Sequence, residues 1–186
     1  MINKLLQTAI LVAGGLALGG CPLQQQASTK APASKPPAAD YMAPAAASPP
    51  ATNIRGICYN DADLATYNGR MVQQQFVVAT LQCQNPGGSR AFESSYASFL
   101  SKFQGELATN ARGMQQMAGR KRFNVDVVVT EFANRTAQRA PSDPAFCGRY
   151  KRAFEWALSQ GVTTLAQIPP PYDLGPEMNV YPCPKP

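Results

Sequence analysis

The chain has 186 residues, a length that allows one folded domain or at most two small ones. It contains no histidine, which excludes the commonest general base, the Ser-His and Cys-His nucleophile pairs and imidazole metal sites. Lysine and arginine number 17 against 11 aspartates and glutamates, a net charge of +6, and five cysteines leave one unpaired if the others form disulfides.

The first 21 residues are typical of an export signal. Lys4 precedes an apolar run over residues 5–18, which is shorter than the roughly 20 residues that a membrane-spanning helix needs. The run ends in Leu18-Gly19-Gly20-Cys21, which resembles the lipobox of bacterial lipoproteins. The resemblance implies that residues 1–20 are removed as a signal peptide and that Cys21 is acylated. The alternatives are a transmembrane anchor or cleavage at another site.

The same resemblance implies a location in the cell envelope. An aspartate after the lipidated cysteine favours the inner membrane in enteric bacteria, whereas Pro22 follows Cys21 here, so we expect the outer membrane, on its periplasmic or surface face. Two or three acyl chains anchor a protein durably because each buried methylene contributes roughly 0.8 kcal/mol. The membrane is therefore the first expected partner, through the lipid anchor.

Residues 22–53 are rich in proline and alanine, and larger apolar residues such as Tyr41 and Met42 are scattered singly among them. This composition buries too little surface to offset chain entropy, so it predicts no fixed structure. We assign residues 21–55 as the lipidated N-terminus and a disordered linker. Fully extended at about 3.1 Å per residue, the linker would reach on the order of 100 Å from the membrane.

Residues 56–186 are long enough for one core, and their patterns predict four helices. We expect the first over residues 64–84, capped by Asp61 or Asp63 and stopped by the Asn-Pro-Gly-Gly sequence at 85–88. Its predicted buried stripe consists of Tyr67, Met71, Val78 and Leu81.

The second helix has the most regular pattern, with apolar residues at i, i+4 and i+7 spacing from Phe92 to Leu107. Ser89 is its predicted cap, and the basic run at 120–122 lies where cations suit a helix C-terminus. Gly105 and Gly113 mark the places where this helix would bend or break.

Residues 123–139 fit two interpretations. Five of the six residues from 125 to 130 are β-branched, which favours a strand, but the apolar positions over the whole segment also fit one face of a helix. We choose the helix because Asn124 is a suitable cap, Glu131 and Arg135 form an i, i+4 pair, and no partner strand is evident.

The fourth helix is expected between Asp143, as N-cap before Pro144, and Gly161. Its predicted buried face consists of Phe146, Tyr150, Ala153, Phe154, Ala157 and Leu158. A short turn over residues 164–168 and an irregular proline-rich tail follow. The predicted fold class is all-α: a small, disulfide-stapled antiparallel bundle of about four helices.

The four cysteines of the domain are too widely spaced for a zinc site, and an exported location favours two disulfides. In an up-down-up-down bundle, the end of the first helix and the start of the fourth lie at the same end. This parity predicts the pair Cys83–Cys147, and the pair Cys58–Cys183 at the other end. A second helix broken into two antiparallel helices would reverse the parity and pair Cys58 with Cys83 or Cys147.

Candidate binding residues are few. Asp126, Thr130 and Asn134 form a polar stripe at i, i+4 and i+8, which suits either a solvated helix face or a binding site. Arg149 and Arg152 are candidates for contact with phosphates or anionic headgroups, although a solvated face also explains them. No motif indicates a metal, a cofactor or a catalytic nucleophile, and nucleic acid is not an expected partner of an exported lipoprotein.

These features predict a lipid-anchored envelope protein, not an enzyme, whose helical domain binds or scaffolds a protein partner. In architecture alone it is similar to pilotin-type lipoproteins, small disulfide-bearing helical domains that help envelope complexes assemble. Two alternatives stay open: a binder of a small-molecule or cell-wall ligand, and a carboxylate-dependent envelope enzyme. A large apolar groove would favour the protein partner, a closed pocket lined by Asp, Arg and Tyr the ligand, and two facing carboxylates the enzyme.

The lipobox leads to a first prediction, that cells labelled with a fatty-acid analogue incorporate the label into the wild-type chain and not into a Cys21→Ser variant. The serine hydroxyl does not replace the thiol that receives the diacylglycerol. The measurement is label per unit of protein after immunoprecipitation, and equal labelling of the two proteins would rule out lipidation at Cys21.

Overall fold

Four helices dominate the computed structural model, which describes residues 39–44 and 55–184. They are α1 (Asp61–Gln82), α2 (Glu93–Lys121), α3 (Val125–Arg139) and α4 (Phe146–Leu158). Two short 3₁₀ helices (Leu165–Gln167 and Pro176–Met178) and two strands, β1 (Ile57–Tyr59) and β2 (Val180–Pro182), complete these ranges. The prediction of a small, mostly helical, disulfide-stapled domain is confirmed. The predicted signal peptide, Cys21 and most of the linker lie outside the described residues.

Helix α1 contacts each of the other three helices and so carries the core. The ring of Phe76 packs against Phe99 of α2 and Phe154 of α4, with centroid distances of 4.9 and 4.2 Å. Tyr67 packs edge-on against Phe132 of α3 at 4.9 Å. The predicted stripe of α1 is correct except for Leu81, which is 50% exposed although Thr80 and Cys83 beside it are buried.

The start of α1 differs from the prediction. Asn60, rather than Asp61 or Asp63, is the N-cap, and its Oδ1 accepts a hydrogen bond from the amide of Asp63 at 2.8 Å. The buried carboxylate of Asp63 instead accepts from Arg120, in the last turn of α2, at 2.6 Å. This pair joins the start of α1 to the end of α2, so the two helices run antiparallel.

The connection from α1 to α2 depends on glycine. Gly87 and Gly88 have φ values of +106° and +87°, which side-chain-bearing residues rarely adopt, so the chain reverses there as predicted. Ser89 does not cap α2, whose N-cap position is Phe92 without a side-chain bond; the Ser89 hydroxyl accepts from Asn85 within the turn.

Helix α2 bends but does not break. Phe103 has non-helical angles (φ −108°, ψ 16°) two residues before Gly105, and the helix then continues to Lys121. Residues 125–139 are helical, as chosen, and the Asn124 side chain caps α3 by accepting from the amides of Asp126 and Val127. The kink does not turn the chain back, because Arg120 at the end of α2 pairs with Asp63 at the start of α1, so the up-down order on which the disulfide prediction depends is preserved.

Both predicted disulfides are confirmed. Cys83 is bonded to Cys147, joining the end of α1 to the first turn of α4, and Cys58 is bonded to Cys183. The second bond lies beside a feature that the sequence did not predict: β1 and β2 form a two-stranded parallel sheet. The two strands have only three residues each and lie far apart in the chain, at 57–59 and 180–182. The sequence therefore gives no signal that they pair.

The N-terminal segment Ala39–Pro44, here called the strap, is a further correction. Tyr41 is fully buried, and its hydroxyl donates to the carbonyl of Pro169 at 2.9 Å. The amide of Ala43 donates to the carbonyl of Pro171 at 2.8 Å. The prediction that all of residues 22–53 lack fixed structure is therefore wrong for the strap. The prediction used the average composition of 32 positions, which does not show that a single aromatic residue, Tyr41, can bury its side chain in the domain.

Removing a disulfide tests how the ends of the bundle are held. We expect Cys58→Ser/Cys183→Ser to lose on the order of 4–5 kcal/mol of unfolding free energy, because the bond closes a loop with a separation of 125 residues. The Cys83→Ser/Cys147→Ser control closes a separation of 64 and should lose slightly less. Urea denaturation gives both values. An unchanged midpoint in either variant would contradict the prediction, as would a different pairing in non-reducing peptide maps.

Candidate functional site

The candidate site begins at a polar side chain in the centre of the core. Gln75 of α1 is fully buried, and its amide nitrogen donates to the carbonyl of Tyr172 at 2.6 Å. Its amide oxygen accepts from the Tyr172 amide at 3.1 Å and from the Tyr150 hydroxyl at 3.2 Å. These three bonds satisfy a group that would otherwise be costly to bury, and they fix residue 172 of the tail against α1 and α4.

Tyr172 extends the network from the core to the surface. Its hydroxyl donates to Oδ2 of Asp143 at 2.6 Å, and Nε of Arg149 donates to the same oxygen at 2.8 Å. The other oxygen of Asp143 accepts from the amide of Ala145 at 2.8 Å. Asp143 therefore caps the turn before α4, as its position predicts, although the helix itself begins at Phe146 rather than at Pro144.

The donors around Asp143 set its charge. The hydrogen bond from Tyr172, followed by that from Arg149, lowers the pKa of the Asp143 carboxyl from 3.8 to about 2, since each donor stabilises the ionised form. Burial, with the negative Asp143 beside it, raises the pKa of the Tyr172 phenol well above its usual range. At neutral pH the pair is therefore a carboxylate and a neutral phenol.

Arg149 connects this network to the strap. Its Nη1 donates to the carbonyl of Tyr41 at 3.2 Å and to that of Met42 at 3.1 Å, while Nε stays on Asp143. A guanidinium suits this role because it offers five donors in a fixed plane. Arg152, one turn further along α4, forms a looser and more exposed ion pair with Asp40 at 3.4 Å.

The strap is bound with a small net free energy. Ordering six residues costs about 6–12 kcal/mol, at 1–2 kcal/mol per residue. Burial of one tyrosine and the four hydrogen bonds described above return on the order of 7 kcal/mol. These magnitudes are similar, so the docking of the strap depends on a small number of contacts.

An open cleft of about 450 Å³ lies beside the strap, which forms one of its walls. The α3–α4 connection, the start of α4 and the tail form the rest. It is lined by Met42, Ala43, Pro44, Arg139, Ser142, Asp143, Arg149, Tyr172, Asp173 and Glu177. The lining thus carries two guanidinium groups, three carboxylates and one phenol.

A second ion cluster fixes the far side of this cleft. The buried carboxylate of Glu177 pairs with Arg139 and, at 3.6 Å, with Arg135 of α3. The guanidinium of Arg139 also lies over the ring of Tyr172, 5.9 Å from its centroid. Glu177 and Arg139 therefore attach the tail to α3, as Gln75 attaches it to α1.

A more apolar groove of about 630 Å³ separates the start of α2 from α4. Its floor is formed by Phe92 and Phe154, but these rings are only 7% and 2% exposed. Lys151 and Glu155 at its edge form an exposed ion pair with each other. The cleft beside the strap is the stronger candidate, because it brings together several charged groups and a bound segment of the chain.

The structure separates the predicted binding residues into two groups. Asp126, Thr130 and Asn134 are all exposed on α3, and none of them lines the cleft. Arg149 lines the cleft, and both Arg149 and Arg152 contact the strap. The two arginines thus have partners in the protein itself, rather than the anionic headgroups considered from the sequence.

Sequence reasoning missed Gln75, Arg139, Tyr172 and Glu177. One signal was available: Gln75 lies four residues after Met71 and three before Val78, so it is a polar residue within an otherwise apolar buried stripe. A glutamine in that position needs internal partners. The other three lie in or near connections whose course no periodicity predicts.

Comparison with known proteins gives no assignment: no family model matches the chain, and no curated protein or solved structure is significantly similar to it. None of the helices in the described ranges is both long and apolar enough to span a bilayer. Within residues 39–44 and 55–184, no three carboxylate or thiol side chains come together as a metal site.

The low pKa of Asp143 leads to a prediction about acid stability. Its folded pKa lies below the ordinary value, so its contribution is fully present above about pH 4 and is lost as the pH falls toward 2. We expect the wild type to be more stable than Asp143→Asn at pH 5 and the difference to shrink between pH 4 and 2. Thermal melts across this range measure it.

Tyr172→Phe is the matched control for that experiment. It removes the largest cause of the low pKa and keeps the ring, so the carboxyl of Asp143 should titrate at higher pH in a ¹³C NMR titration. An unchanged titration in Tyr172→Phe, or a constant stability difference for Asp143→Asn, would show that the bond does not form in solution.

Proposed function

We propose that the chain is a lipid-anchored envelope protein whose helical domain binds a segment of a protein partner in the cleft beside the strap. One observation carries the proposal: this face of the domain already holds a short piece of polypeptide, the strap, which makes a turn at Asp40 and Tyr41. The strap is bound by an inserted tyrosine, a main-chain hydrogen bond to Pro171 and an arginine on its carbonyls. The adjoining cleft continues that surface and is open.

The charges of the cleft support a binding role. Arg139 and Arg149 are paired with Glu177 and Asp143, whereas the carboxylate of Asp173 forms no ion pair within the described residues and offers a negative charge to a bound polypeptide. The pKa of about 2 keeps Asp143 ionised and makes it a weak base at neutral pH. Such a carboxylate suits electrostatic recognition better than proton transfer.

The envelope location is supported by the lipobox and by the two disulfides, which are typical of an oxidising compartment. A domain stapled at both ends is also a rigid platform, which lowers the entropy lost when a partner binds. The architectural similarity to pilotin-type lipoproteins fits this role and stays a prediction.

A second candidate is a small-molecule or cell-wall ligand. The combination of Asp, Arg and Tyr in the cleft favours it, and a volume of about 450 Å³ is sufficient for a compact ligand. The cleft is open along the strap, however, which suits a chain running through it better than an enclosed molecule.

The test is photo-crosslinking in intact membranes. A photoreactive amino acid at Ser142, an exposed residue of the cleft, should capture a defined envelope protein. The same amino acid at Thr130, exposed on α3 outside the cleft, is the matched control. Capture should be lost in an Asp173→Lys background, which reverses a charge in the cleft, and retained with Glu155→Lys on the exposed face of α4.

Three results would contradict the proposal. Capture that survives Asp173→Lys would show that the crosslink is incidental contact. Capture from Thr130 alone would move the site to the α3 stripe. Absence of any protein crosslink at Ser142, with a cell-wall fragment bound instead, would favour the second candidate.

A further inference from the structure

The surface beneath the strap has the features of a peptide-recognition site. Tyr41 is 0% exposed and its hydroxyl reaches the carbonyl of Pro169, so one aromatic side chain is completely enclosed. Met42, the next residue, is 42% exposed. Asp40 and Tyr41 lie in a turn, which directs the tyrosine inward and leaves the next side chain outside. A groove that encloses one side chain in this way selects that position of a bound segment and ignores its neighbour.

The main chain of the strap is bound on both its donors and its acceptors. The Ala43 amide donates to the Pro171 carbonyl at 2.8 Å, and Arg149 donates to the carbonyls of Tyr41 and Met42. These contacts use only atoms that every polypeptide carries. The ion pair of Asp40 with Arg152 adds a preference for an acidic residue before the tyrosine.

The strap is joined to the domain only through residues 45–54 and β1, so its covalent attachment does not build the groove. The walls come from α4 and from residues 169–171, which the core network of Gln75 and Tyr172 holds in place. A groove built independently of its occupant remains when the occupant leaves.

From these contacts we infer that the strap is an intrachain ligand occupying a recognition groove for segments in which an acidic residue followed by tyrosine forms a turn. The natural occupant from outside is a segment of this chemistry in a partner protein, which displaces the strap. The inference rests on the proposed function in assigning the groove to a protein partner, and it extends the binding surface from the cleft into the strap's own position.

Attachment in the same chain gives the strap an advantage over any competitor. A short linker holds a segment at an effective concentration in the millimolar range, so a partner binds only to the fraction of molecules whose strap is released. Weakening the strap should therefore increase the affinity for an external segment without any change in the groove.

The experiment measures binding of a fluorescent peptide with the sequence of residues 38–45 to the full-length chain, by anisotropy. Tyr41→Ala removes the enclosed side chain of the strap, and Ala43→Pro removes the amide that donates to Pro171. We expect the peptide to bind each variant at least ten-fold more tightly than the wild type. Leu81→Ala alters an exposed position of α1, outside both the strap and the cleft, and should behave as the wild type.

A peptide in which tyrosine is replaced by alanine is the specificity control, and circular dichroism with a thermal melt shows that each variant is folded. Failure of the peptide to bind either folded variant would overturn the inference, as would equal binding to the wild type. Equal affinity for the alanine peptide would show that the groove does not discriminate between tyrosine and alanine at this position.

Dimers of the wild-type chain that form by exchange of straps, detected by light scattering, would give the groove to a second copy and overturn the assignment to a partner. The peptide experiment and the crosslinking at Ser142 fail independently. Peptide binding without any crosslink would support the recognition groove and contradict the proposed function. A crosslink without peptide binding would support the proposed function and contradict the recognition groove.

Discussion

The hydrogen bonds between Gln75 and the main chain of Tyr172 are the constraint on which the candidate site depends. An amide at 0% exposure in the middle of an aromatic core is unfavourable unless each of its polar atoms has a partner, and the tail and Tyr150 supply those partners. The tail is thereby fixed against α1, which sets the position of Tyr172 and, through it, of Asp143 and Arg149. Glu177 and the Cys58–Cys183 disulfide attach the later part of the tail, whereas Gln75 fixes the part around Tyr172.

The helices and their connections could be predicted because they depend on local signals. Asn124 as a cap, the two glycines after α1 and the regular apolar spacing of α2 each act within a few residues. The disulfide pairing followed from the direction of the helices alone, since a continuous α2 leaves Cys83 beside Cys147. In this case the order of the helices along the chain is enough to show which cysteines lie at the same end of the bundle.

The strap, the small sheet and the cleft could not be predicted, because each depends on contacts between residues far apart in the chain. Tyr41 and Pro169 are 128 positions apart, and no pattern within either segment refers to the other. The pairing of β1 with β2 involves only three residues on each side. Glu177 likewise reads as an ordinary surface acid until the fold brings two arginines to it.

If the chain is lipid-anchored as proposed, docking of the strap also limits how far the domain can stand from the membrane. If Cys21 carries the lipid, only residues 22–38 separate the bilayer from the strap, and at about 3.1 Å per residue they span at most roughly 50 Å. Release of the strap would add residues 39–54 to this linker and nearly double its maximum length. A partner that displaces Tyr41 would thus lengthen the linker between the lipid and the domain. Occupancy of the groove by the partner and the distance of the domain from the membrane would then change together.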